Sequence, residues 1–274
     1  MWRYKRSKKV SYGVLFEVGS GSVAGAIVTS SKNAKTPIIL YATREFLPLK
    51  QTVLIEDITK RLLTIFMSVT LTTENKIAEF IPKNAHIDQV NINFTAPWSH
   101  TRNCTYTLTS PEPVLVTPKL IEQTHQTGLI TGEVSSHPAL DTIAIINRSI
   151  FGYTVNNYQI KNPIGQQATH FSITETVSAV TKTVFTPTEE IVRKLFPQTP
   201  IYYSSSPLIQ QNLIKAEVAA PTTFATIHLT HEALELTIYR NCEITVSFST
   251  PVGLNTMARN IATTSHIPHE QVYN

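Results

Sequence analysis

Two apolar runs flank Gly19-Ser20-Gly21-Ser22, and this short turn is the strongest constraint on what the chain folds into. Glycine and serine are turn formers, and strands joined by so few residues pair as antiparallel neighbours. Residues 12 to 30 therefore read as strand, turn, strand. A third strand follows over residues 36 to 48, stopped by Pro48. Over residues 55 to 69 the period changes. Ile55, Ile58, Leu62, Leu63, Ile65 and Phe66 fall on one face of a helix. Residues 87 to 98 alternate again and read as a strand that ends at Pro97.

The remaining chain continues the alternation. Thr117 can cap, Pro118 suits a first helical position and Gly128 stops a helix over 117 to 128. Residues 142 to 160 read as two strands around an irregular join, and 166 to 181 as another strand. A helix is expected at about 188 to 196, opened by Thr188, Glu189 and Glu190. A short strand over 201 to 206 and a helix over 207 to 217 come next. Residues 222 to 253 read as a strand meander, and a closing helix starts at Leu254. The expectation is an α/β protein in which residues 1–95 and 182–274 share one strand-turn-strand and helix plan. Residues 96–181 form an inserted α+β unit.

Bulk properties exclude several functions. Of 274 residues, 42% are hydrophobic and 15% charged, as in a globular chain with a real core. The formal net charge of +4 is misleading. Arg3, Lys5, Arg6, Lys8 and Lys9 stand among the first nine residues with no acid, so the rest of the chain carries −1. A body without a basic face argues against nucleic-acid binding. The basic tail, interleaved with Trp2 and Tyr4, suits an anionic membrane surface. Glu17 interrupts the first apolar run, so no secretory leader is read, and no segment has the ~18 uninterrupted apolar residues of a spanning helix. Asn93, Asn103 and Asn147 open Asn-x-Ser/Thr triplets that carry no weight without a leader. Cys104 and Cys242 are too few for a disulfide framework and read as small packing residues, which suits a cytoplasmic location.

The candidate chemistry lies in the first turn. Glycines let backbone N–H groups converge on an anion, and serine hydroxyls add donors. Glu17, at the end of the first strand, is placed to hold a water on magnesium. Glu17, Gly19, Ser20, Gly21 and Ser22 are thus the candidate phosphate-binding residues. A hairpin of the same composition is the competing reading. A second such turn is expected within residues 227 to 240, yet it reads Thr230-His231-Glu232, without glycine, and His228 stands where an acid is expected. The two His-x-x-His-Glu stretches, 228–232 and 266–270, lack the spacing of a helical zinc motif and read as polar turns, so no metal site is assigned. Trp98 reads as core or interface packing.

Residues 158 to 173, with Lys161-Asn162-Pro163-Ile164-Gly165, resemble the Lys-Asn-Pro-Val-Gly stretch of the FtsA-like cell-division proteins. The opening strand-turn-strand is similar to that family's first phosphate loop, which in some members also carries Glu before the glycine. Residues 226 to 262 are similar in shape to its second phosphate loop and following helix. The resemblance implies an actin-like, ribonuclease H-like fold with an SHS2-type inserted subdomain over 96–181 and a partial second actin-like subdomain over 182–274. It implies ATP and magnesium at the first turn, with the second turn altered. It also implies that the chain ends where an FtsA protein continues into its adenosine loop, its FtsZ contact and its amphipathic membrane helix.

The expected role is a division scaffold acting by protein–protein contacts and self-association, peripheral at the inner face of the membrane and without catalysis. The related PilM branch shares the fold and docks on a short peptide from a membrane partner, which makes a pilus-assembly scaffold the alternative. An ATP-dependent phosphotransferase of the actin and sugar-kinase superfamily is the second alternative.

Overall fold

The computed structural model describes residues 10–31, 36–49, 54–131, 142–217, 222–268 and 271–272. The turn-forming sequence at 19–22 acts as expected: β1 (Val10–Val18) and β2 (Ser22–Ser31) pair antiparallel, with Val18 opposite Val23 beside the turn. β3 (Ile38–Phe46) pairs antiparallel to β2. β4 (Ile87–Phe94) and β9 (Ile201–Ser205) extend the sheet in parallel on the other side, giving the order β3-β2-β1-β4-β9. Only β2 runs against the rest.

The alternation of β1 and β4 puts Val14, Phe16, Val18, Val90, Ile92 and Phe94 on one face, all buried. α1 (Ile55–Phe80) and α3 (Lys182–Leu195) cover that face with Leu62, Phe66, Val69, Val184 and Val192. Phe66 meets the Phe16 ring edge-on at 5.6 Å. α1 runs eleven residues beyond the stretch read from the sequence, since Val69, Thr70 and Thr73 remain buried against the sheet. Its two buried threonines return their hydroxyls to the carbonyls of Phe66 and Val69. α3 begins six residues before Thr188 and carries Pro187 inside it. Burial of Val184 against the core overrides the helix-breaking tendency of Pro187.

A second sheet is built wholly from residues 99 to 181. β5 (Ser99–Leu115), β8 (Gln167–Thr181), β6 (Ile143–Val155) and β7 (Tyr158–Ile160) lie in the order β5-β8-β6-β7, all antiparallel. The join between β6 and β7 is a two-residue turn in which Asn156 and Asn157 both take positive φ, the left-handed geometry that asparagine tolerates in tight hairpins. α2 (Pro118–Thr131) covers one face of this sheet, over Tyr106, Val116, Phe171 and Ile173. It lies so close that a Cβ on Gly128 would fall 2.2 Å from the Tyr106 ring. The Lys161–Gly165 stretch forms the turn before β8. There Asn162 Oδ1 accepts from the Ile164 N–H, and Gly165, at φ 86°, donates to the Val116 carbonyl at 2.9 Å.

A third sheet holds β10 (Phe224–Leu229), β11 (Leu234–Arg240) and β12 (Glu243–Thr250), antiparallel in that order. α4 (Ser206–Glu217) packs near β12 and β9, where buried Tyr239 donates to the Pro207 carbonyl at 3.0 Å. α5 (Leu254–Ser265) follows β12. The unit expected over 182–274 is divided. α3 and β9 return to the first sheet, because α3 is needed over its core and β9 pairs with β4. Only the elements after α4 form the second strand-turn-strand unit. No helix of the described residues is long and apolar enough to cross a membrane.

Candidate functional site

The β1–β2 turn and the β10–β11 turn meet. Each of the five candidate residues in and beside the first turn has a definite partner. Glu17 pairs with Arg44 of β3, Nη2 to Oε1 at 3.2 Å, and Arg44 also donates to Ser22 Oγ at 3.0 Å. The Gly19 N–H closes the turn on the Ser22 carbonyl at 2.9 Å, and the Gly19 carbonyl accepts from the Trp98 indole at 2.8 Å. The Gly21 carbonyl accepts from the Leu47 N–H at 2.8 Å. Ser20 is fully buried.

What buries Ser20 is the opposite turn. Its hydroxyl donates to Thr230 Oγ1 at 2.8 Å and accepts from the Glu232 N–H at 2.8 Å. Thr230 in turn donates to the Ala233 carbonyl. His231 lies over Gly21, so that a Cβ on Gly21 would fall 2.4 Å from His231 Cβ, while its ring meets Phe46 edge-on at 5.6 Å. The turn is fastened from behind by the start of α5. Leu254 and Asn255 donate to the carbonyls of Thr230 and His231, and Gly253 lacks the side chain that would strike the His231 carbonyl at 2.3 Å. Glu232 accepts from both Nη groups of Arg259 and from Asn255 Nδ2 at 2.7 Å. Burial holds His231 below the usual imidazole range, aided by Arg44 and opposed by Glu232. His228 is also lowered by burial, against the raising effect of Glu17.

A nucleotide phosphate between such turns needs converging free N–H groups and open room over glycine. The room over Gly21 is filled by His231, the Ser20 hydroxyl is committed on both its donor and acceptor sides, and Glu17 is paired with a guanidinium. The residues present do not fit a triphosphate with magnesium between these two turns. Within the first His-x-x-His-Glu stretch, His231 packs on Phe46 and Glu232 is held by Arg259, while His228 keeps a buried Nδ1 without a hydrogen-bond partner. Among the described residues no group of three His, Cys, Asp or Glu side chains is placed to hold a metal. His269 and Glu270, like Arg3, Lys5, Arg6, Lys8 and Lys9, lie outside the described residues.

A second candidate is a groove of about 240 Å³ on the second sheet, beyond the end that α2 covers. Val177 and Ala179 of β8, Ile143 and Ile145 of β6, and Trp98 form apolar walls; His100 and Arg102 of β5 supply the polar rim. Burial and the nearby Arg102 lower the basicity of His100, leaving Arg102 as the permanent cation. No carboxylate lines this groove among the described residues. Further along the same sheet Glu175 is fully buried. It accepts from Tyr106 at 2.6 Å and from Arg148 at 2.5 Å, and contacts His125 at 2.9 Å. Tyr106 is raised far above the usual phenol range, by burial first and then by its bond to Glu175.

Sequence reading singled out the first turn but missed its partners, because Arg44, Trp98 and His231 are 27, 79 and 210 or more residues from the groups they hold. The absence of glycine at 230–232 and His228 in place of an acid are the legible signs of an altered second turn.

A mixed sheet whose second strand alone is antiparallel, set turn-to-turn against a second strand-turn-strand unit, is an α/β fold of the actin-like ATPase class. Among solved structures, the chain is similar to one described as a PilM-PilN type IV pilus biogenesis complex, at TM-score 0.60 and 12% identity, covering 96% of this chain and 67% of that one. Two others are the ethanolamine utilization protein EutJ from Carboxydothermus hydrogenoformans (TM-score 0.45, 9% identity, 96% of this chain and 60% of that one) and a Bacteroides thetaiotaomicron protein of actin-like ATPase fold and unknown function (TM-score 0.40, 12% identity, 98% and 81%). No protein-family model matches the chain, and no curated protein does.

Proposed function

We propose that this chain is a docking scaffold of the PilM kind, holding a short apolar segment of a pilus-assembly partner in the groove beside Trp98. The observation that carries the reading is the groove itself: apolar walls from Ile143, Ile145, Val177 and Ala179, and one permanent cation, Arg102, without an acid. Such a lining suits an extended segment with two or three apolar side chains and a carboxylate opposite Arg102. The likeness to a PilM-PilN complex supports a protein partner. In this reading the chain is not an enzyme, and its contacts rather than turnover are its work. It sits in the cytoplasm at the inner face of the membrane, attracted through Arg3, Lys5, Arg6, Lys8 and Lys9.

The test is binding of a synthetic PilN peptide by fluorescence anisotropy. Ile145→Glu and Arg102→Glu should each weaken binding by about tenfold or more, the loss of one contact of ~1.4 kcal/mol. Absence of binding, or binding indifferent to both variants, overturns the assignment. A second reading, a division scaffold of the FtsA kind, is favoured by the Lys161–Gly165 turn. A tagged copy collecting at midcell would support it over the pilus reading.

A further inference from the structure

We propose that the contact between the β1–β2 and β10–β11 turns is a permanent clasp, made of protein side chains, which keeps the first and third sheets closed without a nucleotide. The resemblance of the first turn implies a phosphate held between two such turns. Here the bridge is Ser20, which donates to one residue of the opposite turn and accepts from another, both at 2.8 Å. His231 completes it by occupying the space over Gly21 that phosphate oxygens need. The substitution of side chains for phosphate extends to the neighbouring charges. Arg44 pairs with Glu17, and Arg259 pairs with Glu232. The Trp98 indole occupies the Gly19 carbonyl from the side of the groove.

Three features show that the clasp is built and not an incidental touch. Ser20 and Thr230 are buried, at 0% and 8% exposure, although both lie in turns. The carbonyls behind the second turn are taken by the first N–H groups of α5, which leaves the turn one position. Gly253 is required for that approach, since any side chain there would overlap the His231 carbonyl. The second turn is thereby joined to the start of α5, and its withdrawal from Gly21 breaks both Ser20 hydrogen bonds together.

Two measurements on the full chain test the proposal. The first follows amide hydrogen exchange at Glu232, whose N–H is held by Ser20. Without nucleotide it should be protected, and Ser20→Ala should reduce that protection by about tenfold, the loss of one buried hydrogen bond. Free exchange in the nucleotide-free wild type, becoming slow on addition of MgATP, would overturn the clasp. The second is the thermal midpoint with MgATP at about 1 mM. A ligand present at ~100 times its dissociation constant raises the midpoint of a chain this size by roughly 5–10 °C. A shift below about 1 °C is expected, and a shift of that larger size would overturn the proposal even if Ser20→Ala fails to fold.

Discussion

Replacing Gly21 by alanine probes the clasp at its tightest point. The new Cβ would lie 2.4 Å from His231 Cβ and 2.7 Å from the next ring atom. Carbon atoms are comfortable at about 3.5–4.0 Å, so more than ~1 Å must be found. No rotamer of His231 supplies it, because the closest atom is its own Cβ, fixed by the backbone of a turn pinned at Asn255. The turn must move as a body. Overpacking of this kind costs about 1–3 kcal/mol, and stretching the two Ser20 hydrogen bonds adds about 1 more. The lower entropy of unfolded alanine returns ~0.5 kcal/mol. The expected net loss is therefore about 1.5–3.5 kcal/mol in urea unfolding. The reasoning is specific about rescue. Gly21→Ala with His231→Gly should recover most of the loss, whereas Gly21→Ala with His231→Ala should not, since that alanine retains the offending Cβ. A Gly21→Ala protein within ~0.5 kcal/mol of wild type, or equal rescue by both second changes, would refute the packing argument.

Other positions give independent tests. Glu235 is buried with one carboxyl oxygen unpartnered, and desolvation pushes its pKa from 4.5 up to about 7. The folded state therefore holds a proton that the unfolded chain releases between these values, so stability falls as pH rises from about 4.5 to about 7. The loss is of the order of 3 kcal/mol, and urea unfolding of Glu235→Gln should show it largely removed at pH 8. Arg148→Met leaves Glu175 buried without its cation and should cost about 3 kcal/mol by the same assay, whereas an unchanged midpoint would mean that Tyr106 and His125 suffice. Gly128→Ala drives a methyl group into the Tyr106 ring at 2.2 Å; α2 should lift, lowering the thermal midpoint by several degrees, about 2–4 °C for each kcal/mol lost. Deleting residues 2–9 should abolish co-sedimentation with anionic liposomes, and equal binding by the shortened protein would remove the membrane role given to the tail.

The elements that sequence reading recovers best are those whose pattern is local. Alternation in β1, β2, β4 and the meander at the chain's end needs only a period of two, and α5 only its own spacing. The sequence shows the Asn156-Asn157 turn only as an irregular join, though two adjacent asparagines are residues that tolerate its left-handed geometry. The ends of helices were read less well. α1 outruns its clear apolar period because Thr70 and Thr73 bury their hydroxyls on their own backbone, and α3 passes through Pro187 because tertiary burial outweighs that residue's local cost.

The sequence by itself determined that residues 19–22 turn between two strands, that the chain after its first nine residues carries a formal net charge of −1, and that the second turn has no glycine. Tertiary structure alone decided what the first turn does. Whether Gly19-Ser20-Gly21-Ser22 receives a phosphate or a protein turn depends on the atoms that bond to Ser20 and fill the space over Gly21. Those atoms belong to Thr230, His231 and Glu232, more than two hundred residues away. Periodicity and turn chemistry act over a few residues, whereas burial and hydrogen bonding act over a few ångströms, and only the folded chain makes these two neighbourhoods one.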